Sequence, residues 1–109
     1  MYSMSNSIKF KTYISEATQK IHHNEFKESY QMIMKAINEN PNAPEPHNLL
    51  GIWYELKKND DLARKHYRAA YALDPTYAPA SENLERITTY YTAFHRPLGV
   101  DFGESEKYE

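Results

Sequence analysis

The sequence predicts an all-α fold, and three observations support this. Only three glycines occur among 109 residues, which is typical of a helical chain with few tight turns. Apolar residues recur at three- and four-residue intervals over most of the chain, which is the spacing of one face of an α-helix. Pro41 and Pro75, and likewise Ala36 and Ala70, are 34 residues apart. Such a recurrence indicates a repeated pair of helices, with about five helices in total.

The first predicted helix begins at Ile8, because residues 1–7 are polar and show no apolar period. We expect residues 1–7 to be disordered. The helical period continues to about Asn24, a residue type that is tolerated at a helix end. A second helix begins at Asn24 or Glu25 and ends before Pro41, because the residue before a proline is pushed out of the helical conformation.

Three more helices follow. The third covers about 44–58, since prolines are favoured in the first helical turn. Asn59 or Asp60 then caps a fourth helix from about 61 to 73. A fifth helix runs from 79 to about 94 and ends before a further proline.

These elements predict one domain over residues 8–96. It consists of repeats at about 10–43 and 44–77, followed by a capping helix at about 78–96. The C-terminal tail, 97–109, has no helical period, and we expect it to be flexible.

The third and fourth helices resemble the tetratricopeptide repeat (TPR) family. The residues that carry the resemblance are Leu50, Gly51, Tyr54, Ala63, Tyr67, Ala70 and Pro75, which fit the pattern L-G-x2-Y, A-x3-F/Y-x2-A and a closing proline. The resemblance implies a right-handed stack of antiparallel helical hairpins, a TPR-like α-solenoid. In such a stack the small residues allow close helix contact, and the tyrosines fill the space beside them.

The first repeat follows the family pattern less closely. In the 34-residue register, Glu16 and Lys20 stand where the family has leucine and tyrosine. A turn that is longer by one residue would place Ala17 and Ile21 at those positions instead. We favour the longer turn, because it buries Ile21 rather than Lys20.

The resemblance also implies that a partner binds in a concave groove lined by the first helix of each repeat. The groove residues implied are Ile14, Thr18, Asn48, Ile52, Glu55, Glu82, Arg86, Thr89 and Tyr90. Because this set is mixed and partly acidic, we expect the partner to be an extended or helical segment with apolar anchors and a basic residue. The function expected is a non-enzymatic scaffold or adaptor that binds another protein or peptide.

Two alternatives stay open. The outer face of the last helix carries Tyr90, Tyr91 and Phe94, and an exposed aromatic patch of this kind favours a homodimer. In the acidic tail, Val100 and Phe102 are apolar anchors that could occupy the protein's own groove until a partner displaces them.

Composition and motifs favour no other class of function. The formal net charge of -2 provides no positive field for nucleic acid or a membrane surface. No phosphate-binding loop, nucleophile motif or cofactor motif is present, so we predict no catalytic or cofactor-binding residue.

Metal binding is not expected either. His22 and His23 are adjacent and diverge by about 100° on a helix, so they cannot easily share an ion. His66 is expected to face solvent. The absence of cysteine and of an apolar leader makes the cytoplasm the expected location.

Overall fold

A computed structural model describes residues 2–89 and 99–104 of the protein, with side chains described from Ser7 onward. Within these residues the chain forms five α-helices and no strand. The helices are α1 (Tyr2–His22), α2 (Phe26–Glu39), α3 (Glu45–Leu56), α4 (Asp60–Leu73) and α5 (Ala78–Thr89). The all-α class and the number of helices agree with the sequence prediction.

The helices pack in consecutive pairs. α1 packs along α2, and α3 packs along α4, while α2 contacts α3 and α4 contacts α5. α3 also contacts both α1 and α5. Over the described part of the chain, neither α1 nor α2 contacts α4 or α5, so these helices do not close into a bundle.

The turn within each pair of helices has the same backbone hydrogen bond, shifted by 34 residues. The Glu25 amide donates to the Lys20 carbonyl at 2.8 Å, and the Asn59 amide donates to the Tyr54 carbonyl at 2.9 Å. The residue before each donor adopts the left-handed conformation, with φ of 61° in the first turn and 66° in the second. The two pairs are therefore built around equivalent turns of equal length.

The connection that follows each pair recurs at the same spacing. The amides of Asn40 and Asp74 each donate to an alanine carbonyl four residues earlier, both at 3.0 Å. The side-chain oxygens of the same two residues accept from the amide two residues later, at 3.2 and 3.0 Å. The prolines at 41 and 75 lie within these connections, which accounts for their recurrence in the sequence.

The predicted longer turn in the first repeat is therefore wrong. At the 34-residue spacing Ala17 is equivalent to Gly51, and Ile21 is equivalent to Glu55. Ile21 is 2% exposed and Glu55 is 8% exposed, so this position is buried in both repeats. The prediction moved Ile21 out of register with Glu55 because a charged residue usually marks an exposed position. Glu55 is an exception, since it is charged and buried.

Close contact between α3 and α4 depends on Gly51, as the sequence predicts. A Cβ atom at this position would collide with the ring of Tyr67. Tyr67 is fully buried, and so are Ala63 and Ala70 on the same helix. The tyrosine ring thus fills the space that the glycine leaves open.

Trp53 joins the two pairs of helices. Its indole Nε1 donates to the Phe26 carbonyl at 2.9 Å, and its ring centroid lies 5.2 Å from that of Tyr30. Both partners belong to α2, so the indole packs on the neighbouring pair of helices.

The N-terminus differs from the prediction. Helix α1 begins at Tyr2, although residues 1–7 were expected to be disordered and Ile8 was expected to start the helix. Once a helix is nucleated, each added residue gains one hydrogen bond, so a helix can extend through a polar segment without an apolar face.

The C-terminal region also differs. Helix α5 is described to Thr89, and the remainder of the predicted capping helix, 90–96, lies outside the described residues. The tail was predicted to be flexible, but residues 99–104 are packed, with Val100 and Phe102 against the hydrophobic core.

Candidate functional site

The tail segment (residues 99–104) lies against the face that α1, α3 and α5 share. His22 of α1, Asn48 of α3 and Asn83 of α5 each form a hydrogen bond with it. These three helices lead the successive units along the chain, and their shared face is the one predicted as the binding surface. We refer to this face as the groove.

Asn83 binds both backbone groups of Asp101. Its Nδ2 atom donates to the Asp101 carbonyl at 2.8 Å, and its Oδ1 atom accepts from the Asp101 amide at 2.8 Å. Asn48 donates to the same carbonyl at 3.0 Å and accepts from Asn83 Nδ2 at 2.9 Å. Both asparagines are buried, at 0% and 1% exposure. The hydrogen bonds of this pair to the tail segment are made to backbone atoms of Asp101, so they do not depend on the Asp101 side chain.

The side chains of the tail segment make additional contacts with α1. The Phe102 ring centroid lies 4.4 Å from that of His22. The Nε2 atom of His22 lies 3.0 Å from Oε1 of Glu104, and this contact is an ion pair when the imidazole is protonated. His22 therefore contacts one aromatic and one acidic side chain of the tail segment, close to the peptide unit that Asn83 binds.

One contact opposes the tail segment. The hydrogen bond between the carboxyl groups of Glu82 and Asp101 raises the pKa of Glu82, with smaller contributions from desolvation and from the negative charges of Asp101 and Glu85. Two carboxyl groups can share a hydrogen bond only when one of them holds a proton. The contact is therefore repulsive at neutral pH and becomes favourable on acidification.

A buried ion pair lies beside Asn83. Arg86 donates to both carboxylate oxygens of Glu55, at 2.6 and 2.8 Å, and the two side chains are 11% and 7% exposed. The Tyr67 hydroxyl donates to Glu55 at 2.8 Å, and burial together with the Glu55 charge raises the pKa of Tyr67. This network joins α3, α4 and α5, so Glu55 and Arg86 hold the helices together, and Arg86 also lines the cavity beside the tail segment.

The groove continues past the tail segment as an open cavity of about 510 Å³. The α1 residues that line it are Phe10, Lys11, Ile14, Ser15 and Thr18. Glu45, Tyr77 and the end of the tail segment line the remainder. Because this space is open, a longer ligand could extend along α1 beyond the clamped peptide unit.

The residues predicted for the groove are distributed over three environments. Those that line the groove or face the tail segment are Ile14, Thr18, Asn48 and Glu82. Two others are buried: Ile52, which lies in the core, and Glu55, which pairs with Arg86. Arg86 is partly buried and also lines the cavity beside the tail segment. Thr89 is exposed on α5, and Tyr90 lies outside the described residues.

Sequence reasoning missed Asn83, although a signal for it exists. Asn83 lies on the buried face of α5 with Ala80 and Ile87, and a buried amide needs hydrogen-bond partners. The alternative in which Val100 and Phe102 occupy the protein's own groove agrees with the structure. The acidic character of this occupant differs from the basic residue expected in a partner.

The predicted exposure of His66 is wrong, because its ring is half-buried between two others. It stacks on His47 at 5.7 Å and on Tyr54 at 5.4 Å. Burial lowers the pKa of both histidines, and the charges of His47 and Lys65 lower that of His66 further.

Neither a metal centre nor a membrane span is found in the part of the chain that the structure describes. No three potential metal-ligating side chains come together there. None of the described helices combines the length and the apolar character needed to cross a membrane.

Comparison of the chain with protein-family models, with curated proteins and with solved structures finds no match. The geometry of the groove is therefore the basis on which a function can be assigned.

Proposed function

We propose that the protein is a TPR-like repeat protein, a right-handed stack of helical hairpins, whose groove binds a short segment of another protein. The 34-residue recurrence of both turns supports the repeat, because this is the length of a TPR unit. The single observation that carries the binding function is the pair of hydrogen bonds between Asn83 and the backbone of Asp101.

Three properties of the groove suit peptide binding. The two asparagines offer paired donors and acceptors to a main chain, which provides affinity without requiring a particular sequence. The contact between Phe102 and His22 provides a place for an apolar anchor. The open cavity along α1 leaves room for residues beyond the clamped unit. The protein would act by binding alone, as an adaptor or scaffold.

A peptide selection tests this function. Random dodecapeptides displayed on phage would be selected against the full chain, and the selected peptides would be titrated into the isotope-labelled protein. We expect resonances of Asn48 and Asn83 to shift and binding to be lost in Asn83→Ala. The matched control is Thr88→Ala, an exposed position on the same helix. Selected peptides that bind Asn83→Ala as tightly as the wild type would place the site elsewhere.

The homodimer alternative stays a prediction. Its aromatic patch, Tyr90, Tyr91 and Phe94, lies outside the described residues. Light scattering over a range of concentrations checks it directly, because a constant monomer mass would remove it.

A further inference from the structure

The tail segment fits the groove through a specific residue type at each of four positions. At the first, the Oδ1 atom of Asp101 accepts from the Gly103 amide at 2.8 Å, which closes a short turn. Aspartate and asparagine form such a turn most readily, and serine and threonine form it more weakly. Glu82 lines the same cavity as Asp101, so the uncharged asparagine also suits this position.

The second position requires an aromatic residue. Phe102 packs against the hydrophobic core and lies 4.4 Å from the His22 ring. An aromatic side chain buries more area here than any aliphatic one and keeps the ring contact.

The third position requires glycine for two independent reasons. Gly103 has a φ of +81°, a conformation that other residues adopt at a cost. A Cβ atom at this position would also lie 2.5 Å from the Tyr77 hydroxyl oxygen and 3.3 Å from Cγ of Pro79. Both the backbone conformation and the space beside Tyr77 and Pro79 therefore favour glycine over a residue with a side chain.

The fourth position favours an acidic residue. Glu104 contacts His22 at 3.0 Å, and Lys11 lines the same cavity. A carboxylate is thus placed beside an imidazole of α1, in a cavity that both Lys11 and Glu45 line. Taken together, the four positions describe a motif of Asp or Asn, an aromatic residue, Gly and an acidic residue.

We infer that the groove's partner carries this motif, and that residues 101–104 are the chain's own copy of it, which the partner must displace. The inference rests on the proposed function, since it names the ligand of the same groove. It is independent of the identity of the partner, because it follows from the contacts of the tail segment.

Competition between the two copies has a measurable size. A ligand tethered to its own site acts at an effective concentration on the order of 1 mM. If a free peptide binds the empty groove with a Kd of about 0.1 mM, the tethered copy weakens the apparent affinity about tenfold. A variant whose own tail cannot bind the groove should therefore bind the free peptide about tenfold more tightly than the wild type.

The test compares full-length chains that differ at one glycine. A fluorescent peptide that reproduces residues 98–107 is titrated into the wild type and into Gly103→Val, and binding is measured by anisotropy. The valine variant cannot place its own tail in the groove, so we expect it to bind the peptide about tenfold more tightly. The matched control is Gly99→Val, because a Cβ atom at Gly99 meets nothing within 4 Å.

The same peptide with glycine replaced by valine, or phenylalanine by serine, should lose at least tenfold in affinity for the Gly103→Val chain. Adding Asn83→Ala to that chain should abolish binding of the unmodified peptide. Circular dichroism checks that each variant is folded, and Phe102→Ser replaces Gly103→Val if the latter does not fold.

The outcomes separate this inference from the proposed function. Equal affinity of the wild type and Gly103→Val for the peptide, or indifference to the peptide's glycine, overturns the inference. If selected peptides without the motif bind in an Asn83-dependent manner, the motif is wrong but the groove still binds peptides. A dimeric wild type that becomes monomeric on Gly103→Val would make a second copy the occupant, and this also overturns the inference. If no peptide binds any variant, both proposals fail.

Discussion

Asn83 and Asp101 are joined by two hydrogen bonds of 2.8 Å, one to each backbone group of Asp101. The side-chain amide of Asn83 thus takes the place that a neighbouring strand would have in a sheet. Asn48 fixes its orientation, since the Asn48 Oδ1 atom accepts from Asn83 Nδ2 at 2.9 Å. This arrangement holds the tail segment by its backbone and allows its side chains to determine specificity.

Replacing Asn83 with alanine should release the tail segment. The change removes both hydrogen bonds to Asp101 and leaves Asn48 with one partner fewer. The net contribution of each such bond to stability is about 0.5–1.5 kcal/mol. Hydrogen exchange measured by NMR should show at least tenfold lower protection of the Asp101 amide in Asn83→Ala. Protection in Thr88→Ala should equal that of the wild type. Unchanged protection in Asn83→Ala would show that other contacts hold the segment.

Acidification should tighten the binding of the tail segment. The pKa of Glu82 is raised when Asp101 is beside it, so the bound state takes up protons more readily than the released state. This contribution is fully present below the ordinary value of 4.5 and is lost as the pH rises through the raised pKa. The protection factor of the Gly103 amide should therefore fall between pH 4.5 and neutral pH.

Asp101→Asn is the matched variant for this effect. Asparagine keeps the oxygen that accepts from the Gly103 amide and removes the like charge opposite Glu82. We expect protection at pH 7 to rise above that of the wild type and its dependence on pH to flatten. A steeper dependence in Asp101→Asn would contradict this account.

The helices were predictable because local signals agreed with one another. The prolines, the caps and the apolar period pointed to the same boundaries, and Asn59 caps α4 by accepting from the Leu62 amide at 3.2 Å, as predicted. The close contact at Gly51 was equally readable, because a glycine inside a helix needs a packing reason.

The groove was only partly predictable, because its key contacts join residues far apart in the sequence. Glu55 and Arg86 look like surface charges until their pairing is known. Asn83 lies at the helical spacing of Ala80 and Ile87, which indicates a buried amide, but its partner is known only once the tail segment is placed over it. No local pattern encodes either relationship. The acidic tail was recognised as a potential occupant only because its apolar residues stood out in a polar segment.

Gly51→Ala should destabilise the protein despite the better helix propensity of alanine. Alanine stabilises a helix interior by about 1 kcal/mol relative to glycine. Its Cβ atom would collide with the buried Tyr67 ring, however, and overpacking of this kind destabilises the fold by about 1–3 kcal/mol. Urea denaturation followed by circular dichroism should show a lower midpoint. Gly99→Ala serves as the control, because it adds the same methyl group to open space. A midpoint for Gly51→Ala at or above that of the wild type would show that the ring can move.

Removing one member of the buried ion pair should cost more than removing both. Arg86→Met leaves the Glu55 carboxylate buried without its cation, a change that destabilises by about 3–5 kcal/mol. The double variant Glu55→Gln, Arg86→Met removes the charge and keeps an acceptor for the Tyr67 hydroxyl. We expect it to recover most of the stability lost in Arg86→Met, as measured by urea denaturation. Equal loss in the single and double variants would mean that the cost is one of packing and not of charge.

The stability of the fold should decrease on mild acidification because of the two stacked histidines. Burial lowers the pKa values of His47 and His66, and positive charges on His47 and Lys65 lower that of His66 further. The unfolded chain therefore binds protons at a higher pH than the folded chain. Their contribution is fully present above the ordinary value of 6.5 and is lost as the pH falls from there through the lowered values. The urea midpoint should fall between pH 7.5 and pH 5.5, and it should fall less in His66→Gln than in the wild type. In the exposed control His23→Gln the midpoint should fall as much as in the wild type. The same decrease in all three proteins would mean that other groups account for the pH dependence.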